Sequence, residues 1–395
     1  MKPDTRIRVM EIIARMNVGG PATQAIGLYE GLNREDFDHR LHTGHVGGNE
    51  GDHLQLRDAP VQVTRIPNLG RSIRPTDDLR ALVQLIGAMR AFRPHIVHTR
   101  TTKAGALGRT AARLSGVNPA VVHSFHGHLL YGYFTGVKRS LYVRSERVLA
   151  SMSDRLMTVG HGVRDDLLEA GIGRPRQYVV IPPGVRLGPV PERGAARLAL
   201  RLPQDAPIVA YVGRLTHVKR PDRFIATAKA VLARVPDCHF VMCGNGELRR
   251  EAEREIEPVR ESFHLLGWRQ DVETVYAAAD VILLTSDNEG TPLTLVEAGM
   301  AGIPSVSTRV GSVAEIVKDG ETGLLSGTDS AELAARVVRL LSDPALARRL
   351  GDSARRWTTA SFGVERLVAD TEALYRSLCR GRRDLRPARS TEVTA

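Results

Sequence analysis

The sequence predicts an α/β fold made of two Rossmann-like domains that face a central cleft. Three observations predict it. The chain has 395 residues, long for one domain and natural for two. Short apolar runs bounded by turn-formers alternate with longer stretches of helical period, the pattern of parallel sheets with crossover helices. This series occurs twice, interrupted by Pro182-Pro183-Gly184-Val185 and a Pro- and Gly-bearing stretch at 188–194, read as the interdomain connection.

In the first domain, expected over 1–185, strands fall at 6–13, 40–46, 61–66, 95–98, 120–124, 155–159 and 178–181. Helices fall at 20–32, 77–91, 103–114, 137–150 and 162–170, where apolar residues recur at helical spacing. The second domain, over 186–362, opens with the strand in Pro207-Ile208-Val209-Ala210-Tyr211-Val212-Gly213. Further strands are expected at 239–243, 263–266, 281–284 and 305–307, with more helices after Asp329. A last helix, 363–380, precedes a basic tail, 381–395, that has no core-forming pattern and predicts disorder. In sheets of this kind ligands sit beyond the carboxyl ends of the strands, so function is sought in those loops.

Composition narrows the class. No apolar run approaches the roughly 18 residues of a membrane span. Met1-Lys2-Pro3-Asp4-Thr5-Arg6 has no secretory hydrophobic core. Cys238, Cys243 and Cys379 form no disulfide framework, and no Cys/His spacing resembles a zinc site, so a reducing cytoplasm is expected. The net charge is +11, unevenly placed. Residues 1–185 hold 25 Lys and Arg against 16 Asp and Glu, a net of +9, while 186–380 are balanced. No nucleic-acid signature accompanies the basic half, and aromatics are sparse, so an anionic membrane surface or an anionic acceptor is the expected partner rather than nucleic acid.

The most informative segment is Ser286-Asp287-Asn288-Glu289-Gly290-Thr291-Pro292-Leu293-Thr294-Leu295-Val296-Glu297. It follows the strand at 281–284. Pro292 is suited to the first turn of a helix running to about Ala301. The free N–H groups of Leu293 and Thr294, with the helix dipole, then make an anion site, and Gly290 lets a phosphate approach the backbone. Taken alone, Glu289 and Glu297 also fit an ordinary helix start with solvated acids.

Other strand ends carry similar signals. Asn17-Val18-Gly19-Gly20 opens the first helix, either as a simple tight turn or as a loop that admits a phosphate or sugar; it lacks the Gly-x-Gly-x-x-Gly of NAD sites. In Val212-Gly213-Arg214-Leu215-Thr216-His217-Val218-Lys219-Arg220, Arg214 and Lys219 flank a turn where two cations can neutralise a diphosphate. Solvated surface cations are the alternative there. Ser124-Phe125-His126-Gly127-His128 ends a strand, and His123, His126 and His128 compete to face the cleft.

The 286–297 string, with Met300-Ala301-Gly302-Ile303-Pro304-Ser305-Val306 after it, resembles the Glu-x7-Glu signature of the retaining, family-4-type glycosyltransferases. The resemblance spans the chain to about Arg380 and implies a GT-B fold. It implies that Glu289 contacts donor-sugar hydroxyls, that Glu297 binds the nucleotide ribose, and that Gly19 and Gly20 line the donor diphosphate. His126 matches the histidine near the reacting sugar. Gly213-Arg214-Leu215 and Lys219 match the family's cationic loop, with Arg220 where glycine is usual. Cys243-Gly244-Asn245-Gly246-Glu247 resembles a donor loop, departing at Asn245 and Glu247, and Leu266-Gly267-Trp268-Arg269 resembles the loop that holds the base, with Arg269 beside it. Gly290, Thr291, Pro292, Leu293 and Thr294 complete the implied donor site. The family needs no metal cofactor.

The function expected from this resemblance is transfer of a sugar from a nucleotide-sugar, UDP before GDP, to a glycan. The first domain, which in this architecture binds acceptor, carries the whole +9. The stretch 131–149 joins Tyr131, Tyr133 and Phe134 to a helix mixing basic and apolar residues, which suits either a membrane surface or burial with a solvated basic face. A polyprenyl-diphosphate-linked acceptor at the inner membrane face, in exopolysaccharide or envelope-polysaccharide synthesis, is therefore expected. The alternatives are a soluble small-molecule acceptor, a sugar-nucleotide epimerase, a phosphorylase or a nucleotide-sugar-binding scaffold.

Overall fold

A computed structural model describes residues 6–17, 19–47, 51–55, 61–70, 72–127 and 136–383. The first sheet contains β1 (Ile7–Ile13), β2 (Phe37–Thr43), β3 (Val63–Arg65), β4 (Ile96–Arg100), β5 (Ala120–Phe125), β6 (Arg155–Thr158) and β7 (Tyr178–Val180). Their spatial order is β3-β2-β1-β4-β5-β6-β7 and every pairing is parallel. Helices α1 (Gly20–Gly31), α2 (Pro75–Phe92), α3 (Thr102–Leu114), α4 (Gly136–Ser151) and α5 (His161–Glu169) connect them. Covered on both faces, β4 and β5 are buried at every position, as a doubly wound sheet requires.

The second unit begins with α6 (Arg193–Ala199). Then come β8 (Ile208–Val212), α7 (Pro221–Leu232), β9 (His239–Cys243), α8 (Arg249–Ile256), β10 (Phe263–Gly267) and α9 (Val272–Ala278). They are followed by β11 (Val281–Leu284), α10 (Leu293–Ala301), β12 (Ser305–Thr308), α11 (Val313–Ile316) and β13 (Leu324–Ser326). The sheet order is β10-β9-β8-β11-β12-β13, again all parallel. Helices α12 (Ser330–Ser342), α13 (Pro344–Phe362) and α14 (Val364–Arg383) complete the chain. In α14, Leu367, Leu374, Tyr375 and Leu378 pack against Val9, Leu28, Phe37 and Ile96, so the last helix returns to the first sheet. Val185 N–H donates to Phe362 O (2.7 Å), so the two passages between the sheets run side by side.

Several element boundaries differ from the sequence reading. β2 starts at Phe37 and ends at Thr43, not 40–46, because its register follows β1 from Ile7↔Phe37 to Ile13↔Thr43. β4 runs on through Thr99 and Arg100, polar residues that an apolar-run reading stops short of but whose partners are buried with them. The last residues of the stretch 188–194 are already helical, since α6 opens at Arg193 and Glu192 Oε2 caps it by accepting from Gly194 N–H (2.7 Å) and Ala195 N–H (3.1 Å). α14 continues through Arg383, three residues past its expected end, and the remainder of the 381–395 tail lies outside the described residues. β13 had no counterpart in the sequence reading.

Candidate functional site

Each sheet reverses its strand order once, between β1 and β4 in the first and between β8 and β11 in the second. Such reversals open a crevice at the carboxyl ends of the two strands. The loops after β1, β8 and β11 carry three of the sequence motifs. They meet across the cleft. A Cβ on Gly20 would stand 3.7 Å from Leu293 Cδ1, at the first residue of α10. A Cβ on Gly290 would come within 2.8 Å of His126 O, so glycine is needed for the β11 loop to rest on the β5 loop. Thr291 Oγ1 donates to Val159 O (2.7 Å). On the same side, Glu315 of α11 accepts from the N–H groups of His161 and Gly162 (both 2.9 Å) and lies 3.0 Å from His161 Nδ1.

Glu289 is buried at 8% exposure. Its Oε1 accepts from Lys219 Nζ (2.5 Å) and from Ser286 Oγ (2.6 Å). Lys219 reaches it because the β8 turn and the β11 loop are fastened together. Asp287 N–H donates to Val218 O (2.9 Å), and the Asp287 carboxylate receives Arg223 Nη2 (2.7 Å) and Arg220 Nη1 (3.1 Å). Arg220, which replaces the usual glycine, adopts φ 52°, ψ 59°. That left-handed conformation suits glycine and costs an L-residue about 1–2 kcal/mol. Its ion pairs to Asp222 (2.7 Å) and Asp287 (3.1 Å) offset part of the strain. Arg214 is exposed in the same turn and pairs with no carboxylate among the described residues.

Pro292 is the N-cap of α10 rather than its first residue, with ψ 110°, so the helix opens at Leu293. The first-turn N–H of Leu293 and Thr294 therefore head the helix as expected, while Thr294 Oγ1 donates to Val212 O (3.1 Å) and ties α10 to β8. Glu297, one turn on, is half-buried and its Oε2 accepts from Tyr276 O–H (2.6 Å). Burial pushes its carboxyl up to about 7, against the lowering effect of the Tyr276 bond. Burial and the neighbouring Glu297 hold the Tyr276 hydroxyl well above its ordinary value.

The histidines separate by position. His123 is core: its Nδ1 lies 2.8 Å from Thr99 Oγ1, and burial holds it well below the usual range. His126 stands at the end of β5 beside the cleft, with Arg100 Nη1 donating to its Nε2 (2.9 Å). Burial first, then the Arg100 charge, holds His126 well below the ordinary histidine value. His128, with Tyr131, Tyr133 and Phe134, lies outside the described residues.

Gly244, at φ 145°, packs against Gly213, where a Cβ would collide with Gly213 O. Gly244 N–H donates to Gly267 O (2.7 Å), which aligns the loops after β8, β9 and β10 on one wall. The Arg269 side chain is engaged, donating from Nε and Nη2 to Asp271 (2.9 and 2.6 Å). Gly19 heads α1, its carbonyl accepting from Ala22 N–H (3.1 Å). Tyr276, Arg100, Glu11 and Glu315 belong to this region yet were missed in the sequence. A charged Glu11 inside the apolar first strand was the one visible signal among them.

Comparison with known proteins gives the same architecture. A model of the glycosyl transferase 4-like domain matches residues 19–184, and one of glycosyl transferases group 1 matches 193–357. An Escherichia coli UDP-Gal:alpha-D-GlcNAc-diphosphoundecaprenol alpha-1,3-galactosyltransferase is 27% identical over 94% of this chain and 97% of its own. A Streptomyces bingchenggensis D-inositol 3-phosphate glycosyltransferase is 28% identical over 76% of this chain and 71% of its own. The crystal structure of Anabaena HepE in complex with UDP superposes with a TM-score of 0.77 at 19% identity, covering 94% of this chain and all of the other.

Proposed function

Because the chain belongs to the family-4-type glycosyltransferases of GT-B fold, we propose that it moves a sugar from a UDP-sugar to a hydroxyl of a lipid-linked glycan, with retention of configuration and without a metal ion. The observation that carries the reading is the grouping of Lys219, Glu289 and the α10 N-terminus at the reversal point of the second sheet, facing Gly19, Gly20 and His126 of the first.

In this reading the donor diphosphate lies between the Gly19-Gly20 loop and the Leu293 and Thr294 N–H groups. Arg214 and Lys219 stabilise the charge that grows on it as the sugar departs, the part a divalent cation plays elsewhere. Glu297 holds the ribose, Gly244 and the Arg269 loop border the base, and Glu289 holds hydroxyls of the donor sugar. Double displacement needs a free carboxylate beneath the anomeric carbon. Glu289 is instead committed to Lys219 and Ser286, which favours attack on the leaving-group face. The C1–O bond to phosphate breaks, the acceptor oxygen bonds C1 on that face, and its proton passes to the departing phosphate oxygen. Domain closure excludes water.

The lipid-linked acceptor, at the inner membrane face in exopolysaccharide or envelope-polysaccharide synthesis, is supported by the name of the E. coli relative and by α4. On α4, Tyr142, Glu146, Leu149 and Ala150 face inward. Val137, Leu141 and Val148 are exposed at helical spacing, flanked by exposed Lys138, Arg139, Arg144 and Arg147. No helix among the described residues is long and apolar enough to cross a membrane, so contact would be peripheral.

Thermal stabilisation across UDP-, GDP- and ADP-sugars tests the donor, with the UDP series expected to give the largest shift. Co-sedimentation with liposomes tests the membrane contact: binding to anionic vesicles should exceed binding to neutral ones and fall with salt. Equal binding to both at low salt would point to a soluble acceptor, as in the inositol-phosphate relatives.

A further inference from the structure

Behind His126 three adjacent strands place a buried row of charge at the carboxyl edge of the first sheet. Glu11 is on β1, Arg100 on β4 and His126 at the end of β5. The register pairs Glu11 with His98 and Arg100 with Ser124, so Glu11, Arg100 and His126 follow one another across the sheet. Arg100 and Glu11 are both fully buried. Arg100 Nε donates to Glu11 Oε1, and Glu11 Oε2 lies 2.7 Å from His39 Nε2. Arg100 Nη1 then donates to His126 Nε2 (2.9 Å).

We infer that Arg100 is a positioning residue that fixes His126 as the neutral, Nδ1-protonated tautomer, so that His126 serves sugar transfer as a hydrogen-bond donor and not as a base. The inference rests on the glycosyltransferase reading for its purpose, and on geometry for its chemistry. A guanidinium has five N–H donors and no acceptor. A hydrogen bond from it to Nε2 requires a lone pair on Nε2, which leaves the one imidazole proton on Nδ1. That lone pair is then occupied and unavailable to an acceptor hydroxyl. An imidazolium would set N–H against N–H and a second cation against a buried first.

The other groups facing His126 do not change this. His98 on β4 is held at about 3 by burial, with Arg100 adding to the effect, and is bonded to Ser124 Oγ (2.6 Å) and Tyr375 O–H (2.5 Å). His123 on β5 is held low by burial, with Arg109 next to it. Among the described residues Glu11 is the one group that favours a charged His126, and Arg100 stands between them. From the second domain, Gly290 presents only backbone. The consequence for transfer is specific. The acceptor proton has no route to His126, which leaves the departing phosphate to take it, while Nδ1–H can hold a hydroxyl of the reacting sugar.

The test is nitrogen NMR of the ¹⁵N-histidine-labelled protein, with the His126 signals assigned by His126→Gln. His126 of the wild type should show the Nδ1–H tautomer and no protonation from pH 8 to pH 5. Arg100→Lys keeps a cationic donor and should keep the tautomer. The paired change Glu11→Gln with Arg100→Met removes donor and counter-charge together; its His126 should shift toward Nε2–H and protonate more readily than in the wild type, with burial still holding it below the usual range. That variant's kcat, read at saturating donor so that Glu297 does not enter, should fall on the acid side by up to about tenfold per pH unit below the new pKa, where the wild type is flat. Should the paired variant not fold, the wild type and Arg100→Lys still decide the matter. A wild-type His126 that titrates near 6.5, or carries its proton on Nε2, overturns the inference. The NMR needs no substrate, so a correct tautomer in a protein that transfers no sugar would leave the lock standing and sink the functional reading alone.

Discussion

Replacing Glu297 with glutamine should stabilise the ligand-free protein while weakening its hold on the donor. The carboxyl is pushed up to about 7 in the fold against an ordinary value of 4.5. Between those values the folded chain keeps a proton that the unfolded chain has released. Stability therefore falls as pH rises through that window and levels above it. At 1.36 kcal/mol per unit the full penalty is about 3 kcal/mol, an upper figure because Glu297 is only half-buried and solvent screens it. Glutamine keeps an oxygen for the Tyr276 hydroxyl and has no charge to bury. Glu297→Gln is thus expected to gain about 1–3 kcal/mol at pH 8 and about half as much or less at pH 5.5. The same change removes a charged acceptor from the ribose, where such bonds contribute about 1.5–3 kcal/mol, so UDP should bind about tenfold or more weakly and KM should rise with little change in kcat. In the wild type, donor affinity should climb with pH and level above about 7; at pH 6 about one molecule in ten has Glu297 ionised. Urea unfolding followed by circular dichroism at the two pH values, and calorimetric titration with UDP, read both effects. A variant whose stability gain is the same at pH 5.5 and pH 8 would refute the raised carboxyl. Unaltered UDP affinity would refute the ribose contact.

Four further outcomes are expected. Lys219→Ala or Arg214→Ala should lower kcat by about 10²–10³ with a smaller change in KM, and Glu289→Ala should also act mainly on kcat; initial rates that move in KM alone would contradict these roles. Activity should survive EDTA, and turnover that is lost in chelator and restored by Mg²⁺ or Mn²⁺ would overturn the metal-free reading. Arg220→Gly relieves a left-handed residue but loses partly exposed ion pairs to Asp222 and Asp287, so stability should move by no more than about 1 kcal/mol while kcat falls as the Lys219 turn loosens; an unchanged kcat would mean the clamp does not position Lys219. Glu315→Ala removes the bonds to His161 and Gly162 that join the domains, so solution scattering should report a larger radius and KM should rise; an unchanged radius would mean that the contact does not hold the cleft shut.

Much of this was legible in the sequence because local chemistry dictates it. The apolar runs at β9 and β11 are bounded by turns and match the expected strands to the residue. The glycines and Pro292 mark where backbone must turn or a helix must open, and the loops they mark do meet at the two reversal points. What stayed hidden depends on which strands become neighbours. Arg100 fell two residues beyond the strand expected at 95–98, because polar side chains end an apolar run; Glu11 of β1 and His126 just past β5, far off in sequence, are what allow it to be buried. Tyr276 carries no local signal for its bond to Glu297, which forms only when α9 packs beside α10. The meaning of Arg220 was equally hidden, since its positive φ belongs to the backbone and not to the composition.

The most direct test of the account is transfer itself, followed with an α-linked UDP-sugar, chelator, and GlcNAc-diphosphate carried on a polyprenol. UDP should be released only when the lipid-linked acceptor is present, and NMR of the lengthened glycan should show the new linkage in the α configuration of the donor. A β linkage would contradict same-face attack. Release of UDP that ignores the acceptor, with no sugar joined to it, would contradict the glycosyltransferase reading of this cleft.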